Sequence, residues 1–238
     1  MICFLTSRTD LPETNRLNPA NDFAAELARR FPAPCDALFV CSDPDVPERT
    51  DFYAASVKTS FEEAGLPFRS FRVLDGRNAQ NAAELVEASN FLILSGGHVP
   101  TQNRFFQSVG LRGLLTHFDG VLMGISAGSM NSADVVYAQP ELEGEALDPD
   151  YRRFLPGLGL TKTMLIPHYQ AIRDEVLDGL RVFEEITYPD SVGRCFYAIP
   201  DGSYLLIEDG REELRGEAWR ILDGVLSRCS GEGERIVL

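Results

Sequence analysis

Short, nearly continuous apolar runs recur along the first half of the chain, at residues 2–6, 37–41, 68–74, 91–94 and 121–125. Amphipathic stretches alternate with them. Phe23, Leu27 and Phe31 fall on one face of a helix predicted over 21–31, which Pro32 and Pro34 stop. Phe52, Ala55, Val57 and Phe61 mark a second helix over 51–64, with Gly65 as its C-cap, and further helices are predicted over 81–89 and 103–118. Strands that are apolar on both faces and separated by helices imply a mostly parallel sheet covered on both sides, an α/β architecture. The last third reads differently. A short strand at 164–166 precedes a helix predicted over 174–185. Strands at 195–199, 203–207 and 218–222 follow, punctuated by Pro200-Asp201-Gly202 and Glu208-Asp209-Gly210, which predicts an antiparallel meander. Residues 139–157 form the longest stretch without periodicity, a loop with local order or function of its own.

Composition narrows the chemistry. At 238 residues, with no linker or repeat, the chain reads as one domain spanning 1–238. A net charge of −14 argues against nucleic-acid and anionic-membrane partners, both of which need clustered cations. The five cysteines are odd in number, irregularly spaced and mostly among apolar neighbours, which suits buried thiols in a reducing cytoplasm. The apolar run at 2–5 has no basic region before it, so neither a signal peptide nor a membrane span is expected. The two lysines, Lys58 and Lys162, follow Val57 and Thr161, so no Gly-Lys-Ser/Thr phosphate loop exists. There is no H-E-x-x-H or paired C-x-x-C, and no protein-built metal site is expected. Any catalytic imidazole must come from His98, His117 or His168.

One motif carries chemistry. Gly124-Ile125-Ser126-Ala127-Gly128 follows the apolar strand Val121-Leu122-Met123, so the serine sits at a strand end before a helix-compatible stretch. That pattern suits a nucleophile on a strained turn, which needs small neighbours; a simple tight turn is the alternative. A serine hydroxyl needs a base. His168 follows the strand at 164–166 and is the best candidate, against a purely structural histidine. His117 closes a helix, and His98 lies beside Gly97 with nothing to orient it as a base. The acid that would hold the base is sought among Asp134, Glu141, Glu143, Glu145, Asp148 and Asp150, which lie between the serine and the histidine. Oxyanion donors would be the Ala127 N–H and a second N–H from Gly96 or Gly97, at the end of the neighbouring apolar strand.

These residues resemble the peptidase S51 family, which contains aspartyl dipeptidase (peptidase E) and cyanophycinase. The matching segments are Leu94-Ser95-Gly96-Gly97, the Ser126 elbow, Ile166-Pro167-His168-Tyr169 and Ala198-Ile199-Pro200-Asp201-Gly202-Ser203, in the family's order. The resemblance implies a class I glutamine amidotransferase-like, flavodoxin-like three-layer α/β/α sandwich. It implies a cytoplasmic serine peptidase without metal or cofactor, acting on a small peptide. Carried over by position, Ser126 is the nucleophile, His168 the base, and Gly97 and Ala127 the oxyanion donors. Anchoring on Leu147-Asp148-Pro149 makes Glu143 the triad acid; counting forward from the serine makes it Glu141. The family's glycine loop usually continues with Asn-Thr, here replaced by His98-Val99-Pro100. The arginine that would bind a substrate aspartate has only Arg173 and Arg181 as candidates. A glutaminase of the same fold, an esterase and a non-catalytic binding protein are the competing readings, and a homodimer is left open.

Overall fold

The computed structural model describes residues 1–238. Its strands are β1 (Ile2–Thr6), β2 (Asp36–Val40), β3 (Ser70–Leu74), β4 (Phe91–Leu94), β5 (Val121–Ile125), β6 (Val135–Tyr137), β7 (Phe154–Pro156), β8 (Met164–Ile166), β9 (Val176–Leu177), β10 (Leu180–Arg181), β11 (Cys195–Ala198), β12 (Tyr204–Glu208), β13 (Arg211–Arg215), β14 (Ala218–Leu222), β15 (Val225–Ser230) and β16 (Arg235–Val237). Eight of them form one sheet in the order β16-β13-β12-β1-β5-β4-β2-β3. The five strands from β1 to β3 are parallel, while β12, β13 and β16 add an antiparallel wing.

Side chains alternate across this sheet. Cys3, Leu5, Leu38, Val40, Leu92, Leu94 and Leu122 pack on one face with Ala82, Val86, Phe105 and Phe106 from the helices Ala82–Glu87 and Val99–Ser108. Phe4, Ala37, Phe39, Phe91, Ile93, Val121 and Met123 pack on the other with Phe23, Leu27, Ala54 and Phe61 from the helices Phe23–Arg30 and Pro47–Glu63. Both faces are dry, which is why the strands read as continuous apolar runs rather than alternating ones. The result is the expected α/β sandwich with a mostly parallel sheet. No helix is long and apolar enough to cross a membrane.

Two parts of the last third depart from the sequence pattern. The helix predicted over 174–185 is a hairpin, β9–β10, followed by a π-helix over Val182–Thr187. Asp178 and Gly179 take φ of 54° and 83°, the left-handed pair of a two-residue hairpin turn, and this local signal overrides the apolar spacing. The predicted meander is split between two sheets. β12 and β13 extend the large sheet, whereas β11 and β14 belong to a four-stranded sheet ordered β15-β14-β11-β8.

Register sets what meets at the carboxyl edges. Thr6 pairs with Ile125 and Leu94 with Gly124, so Ser7, Ser95 and Ser126 leave their strands side by side. In the second sheet β8 and β11 are parallel and Ile166 pairs with Ala198, so Pro167-His168 and Ile199-Pro200-Asp201 emerge together. The Ser7 hydroxyl accepts the His168 backbone N–H at 2.9 Å and ties the two edges together. In open α/β sheets this edge is where ligands bind.

Candidate active site

Ser126 stands between β5 and the helix Ala127–Asn131, with φ 48° and ψ −110°. A β-carbon makes that backbone costly, and sites hold such strain only when the surroundings enforce it. The flanking glycines show how they do so. A β-carbon on Gly124 would lie 2.8 Å from the Ser129 nitrogen, and one on Gly128 would run into the Leu94 backbone. Only glycines let the helix fold back this tightly onto β5 and β4. Behind the turn, the Ser126 N–H donates to the Thr6 carbonyl at 3.0 Å, and the Ser129 hydroxyl donates to the same carbonyl at 2.7 Å.

The glycine loop after β4 closes on the serine. A β-carbon on Gly96 would sit 3.4 Å from the Ser126 β-carbon. Gly97 takes φ 149°, and a side chain there would collide with Ser42. The N–H groups of Gly96, Gly97 and Ala127 are engaged by no protein acceptor.

His168 also carries a positive φ, 60°, directly after β8 and Pro167. Its Nδ1 lies 2.7 Å from Asp201 Oδ1. The carboxylate on His168 is therefore Asp201, and the expected Glu143 is displaced from that role. Glu143 is exposed on the 139–150 loop, whereas the parallel β8–β11 register delivers Asp201 to the imidazole. Glu141 does not reach His168 either: its Oε1 accepts the Val99 N–H at 3.1 Å. Glu145 pairs with His98, Nε2 to Oε1 at 2.8 Å, while His98 Nδ1 meets Thr101 Oγ1 at 2.8 Å. Asp134 belongs to Arg112. The Pro200-Asp201-Gly202 segment reads as a turn and as a segment matching the family, and neither reading assigns its carboxylate a role.

Ser7 is the other residue the sequence did not single out. It is fully buried, its hydroxyl donates to Asp201 Oδ1 at 2.6 Å, and it accepts the His168 backbone N–H at 2.9 Å. Gln170 Oε1 accepts the Asp201 N–H at 3.0 Å. Burial by itself would raise the Asp201 pKa, but hydrogen bonds from His168 and Ser7 and the charges of His168 and Arg8 outweigh it and hold the carboxyl below its ordinary value. With Asp201 ionised, His168 Nδ1 carries the proton, and Nε2, which has no protein partner, presents its lone pair.

Ser126, His168, Gly96 and Gly97 line one open cleft of about 1110 Å³, together with Ser7, Arg8, Asp10, Asp43, Arg49, Phe52, Tyr53, His98, Glu141 and Leu142. No group of three or more His, Cys, Asp or Glu side chains is placed to hold a metal ion. His117 ends a short 3₁₀ turn away from the cleft, and Arg173 and Arg181 do not line it.

A strained serine after a central parallel strand, lining one cleft with a carboxylate-held histidine from the edge of a second sheet, is the arrangement of a serine hydrolase on an α/β sandwich. The family model of peptidase family S51 matches residues 3–215; the chain belongs to that family and is a serine peptidase. Among solved structures it is similar to the 1.5 Å crystal structure of a "Putative Peptidase E Protein" from Listeria monocytogenes EGD-e, with a TM-score of 0.57 and 18% identity over 96% of this chain and 98% of that one. At that identity the likeness concerns the fold. No curated protein matches the chain.

Proposed function

We propose that the protein hydrolyses a peptide or isopeptide bond of a small peptide through an acyl-enzyme on Ser126. His168 Nε2 takes the hydroxyl proton as Oγ attacks the carbonyl carbon, then passes it to the leaving amine, and water repeats the cycle to release the acid. Asp201 fixes the tautomer and balances the imidazolium charge. Ser7 holds both partners, since one hydroxyl touches the His168 backbone and the Asp201 carboxylate. The unengaged N–H groups of Ala127 and Gly97 stabilise the tetrahedral oxyanion. The reaction needs no cofactor.

The observation that carries this reading is the pairing of the positive-φ Ser126 with the His168–Asp201 couple on one cleft. A cleft of about 1110 Å³ is of a size to take a short peptide. A fluorophosphonate probe tests the proposal. It should label the wild-type protein at Ser126, with labelling lost in Ser126→Ala and strongly slowed in His168→Ala. Equal labelling of Ser126→Ala removes the serine from the mechanism, and a dipeptide library screened beside that variant identifies the bond class.

A further inference from the structure

The cleft wall holds four charged or chargeable pairings, and one group is left over. Arg8 is held by Asp10 at 3.1 Å and Arg49 by Asp43 at 3.4 Å. His98 is held by Glu145 and His168 by Asp201. Glu141 lines the same cleft and has no cationic partner; its single bond from the wall is the neutral Val99 N–H on Oε1. The backbone fixes it there from both sides. The N–H groups of Glu141 and Leu142 donate to Glu145 Oε2 at 3.0 Å each, and Asp178 accepts the N–H groups of Gly144 and Ala146 at 2.8 and 3.0 Å. Val99, its hydrogen-bond donor, follows directly on the Gly96-Gly97-His98 loop that borders Ser126. The surplus negative charge thus lies on the cleft wall that continues from the glycine loop bordering Ser126.

The arginines make the same point from the opposite side. A peptidase that reads an acidic substrate side chain needs a free guanidinium in its cleft. Arg173 is tied to Asp174 and Arg181 to Glu184 and Glu185, all outside the cleft, and the two cleft arginines are already neutralised by aspartates. Burial also raises the Glu141 pKa above the ordinary carboxylate value, with Glu145 and Glu175 adding to it and Val99 and His98 opposing. Glu141 is nonetheless exposed to the cleft, so its unmatched carboxylate is open to an incoming cation without displacing a partner.

We propose that Glu141 is the specificity residue of this cleft and receives the positively charged group of the substrate, an α-ammonium or a lysine or arginine side chain adjoining the scissile bond. This rests on Ser126 being the nucleophile.

The test is kcat/KM for Nle-Leu, Ac-Nle-Leu, Ac-Lys-Leu and Ac-Asp-Leu with the wild type, Glu141→Gln and Glu141→Lys. The ratio of Nle-Leu to Ac-Nle-Leu reads the α-ammonium, and the ratio of Ac-Lys-Leu to Ac-Nle-Leu reads the side chain. At least one ratio should be about 10- to 100-fold in the wild type, as for a hydrogen-bonded charge pair. Glu141→Gln, which keeps the oxygen that accepts the Val99 N–H, should bring that ratio close to one, chiefly through KM. Glu141→Lys should reverse the order of Ac-Lys-Leu and Ac-Asp-Leu. Ratios that Glu141→Gln leaves unchanged, or a wild type that prefers Ac-Asp-Leu to Ac-Lys-Leu, overturn the proposal. Turnover that is lost in Ser126→Ala yet indifferent to charge rejects this inference alone, whereas turnover that survives Ser126→Ala rejects the serine mechanism beneath it. Should turnover be too slow to measure, calorimetric binding of the same peptides to Ser126→Ala, with and without Glu141→Gln, reads the same ratios.

Discussion

The two halves of the proposed catalytic apparatus are built on different principles. The serine side is made by backbone geometry: a positive φ at Ser126, glycines at 124 and 128 that allow a helix to press onto its own strand, and a glycine loop so close that a β-carbon on Gly96 would sit 3.4 Å from the Ser126 β-carbon. The histidine side is made by hydrogen bonds between distant segments: Ser7, His168, Gln170 and Asp201 come from three stretches of chain and two sheets. Steric construction tolerates no added atom but needs few partners. The hydrogen-bonded construction tolerates small changes of shape but needs every partner in its correct ionisation state.

That contrast can be broken from either side. The largest expected effect is on the histidine side. Asp201→Asn keeps the shape but favours the wrong tautomer, and kcat should fall about ten-thousand-fold, while Glu143→Gln should leave kcat close to the wild-type value. A kcat lost in Glu143→Gln and kept in Asp201→Asn would reverse the assignment of the acid. On the serine side, Gly128→Ala drives a β-carbon into the Leu94 backbone and should cost about 1–3 kcal/mol, read as a shift of the urea midpoint. A full-strength midpoint would show that the elbow is looser than its contacts indicate. Ser7→Ala should lower kcat about tenfold, with Ser7→Thr restoring part of it; equal stability of the two variants separates this from a packing defect.

The smallest effect is a pH dependence of stability. The Asp201 pKa is lower in the folded protein than in the unfolded chain. Its contribution to stability is therefore present above the ordinary carboxylate pKa and is lost as pH falls through the depressed folded value. The stability gap between wild type and Asp201→Asn should close progressively in acid below about pH 4. A gap that persists unchanged there would mean that the couple does not depend on the ionised acid. Glu141, raised rather than lowered, has the opposite sign. Its ionised form is disfavoured by folding, so that part of the folding free energy is present below its unfolded pKa and is lost as pH rises through the folded value.

How legible each half is in the sequence follows from the same contrast. β1, β4, β5 and β8 stand where the apolar runs put them, because strands covered on both faces need nothing else. The Ser126 elbow is legible because its demands are met within five consecutive residues. His168 stands at a strand end as its sequence context predicts. Its acid is not legible, since nothing around Asp201 announces that β11 lies parallel to β8, and a Pro-Asp-Gly turn accounts for the residue fully. Ser7 is one serine after a strand, with meaning only once β12 returns alongside β1. The 174–185 stretch fails for the reverse reason: its apolar spacing is helical, but two residues with positive φ decide the outcome.

The bond from Ser7 to Asp201 spans 194 positions of sequence. During synthesis the serine elbow and its glycine loop can take shape while the strand that flanks β1 is still unmade. The imidazole gains its carboxylate only after residue 201 has left the ribosome. On the proposed mechanism, a chain assembled in this order would be inert for most of its own translation and would gain its cutting power only when residue 201 joins the site.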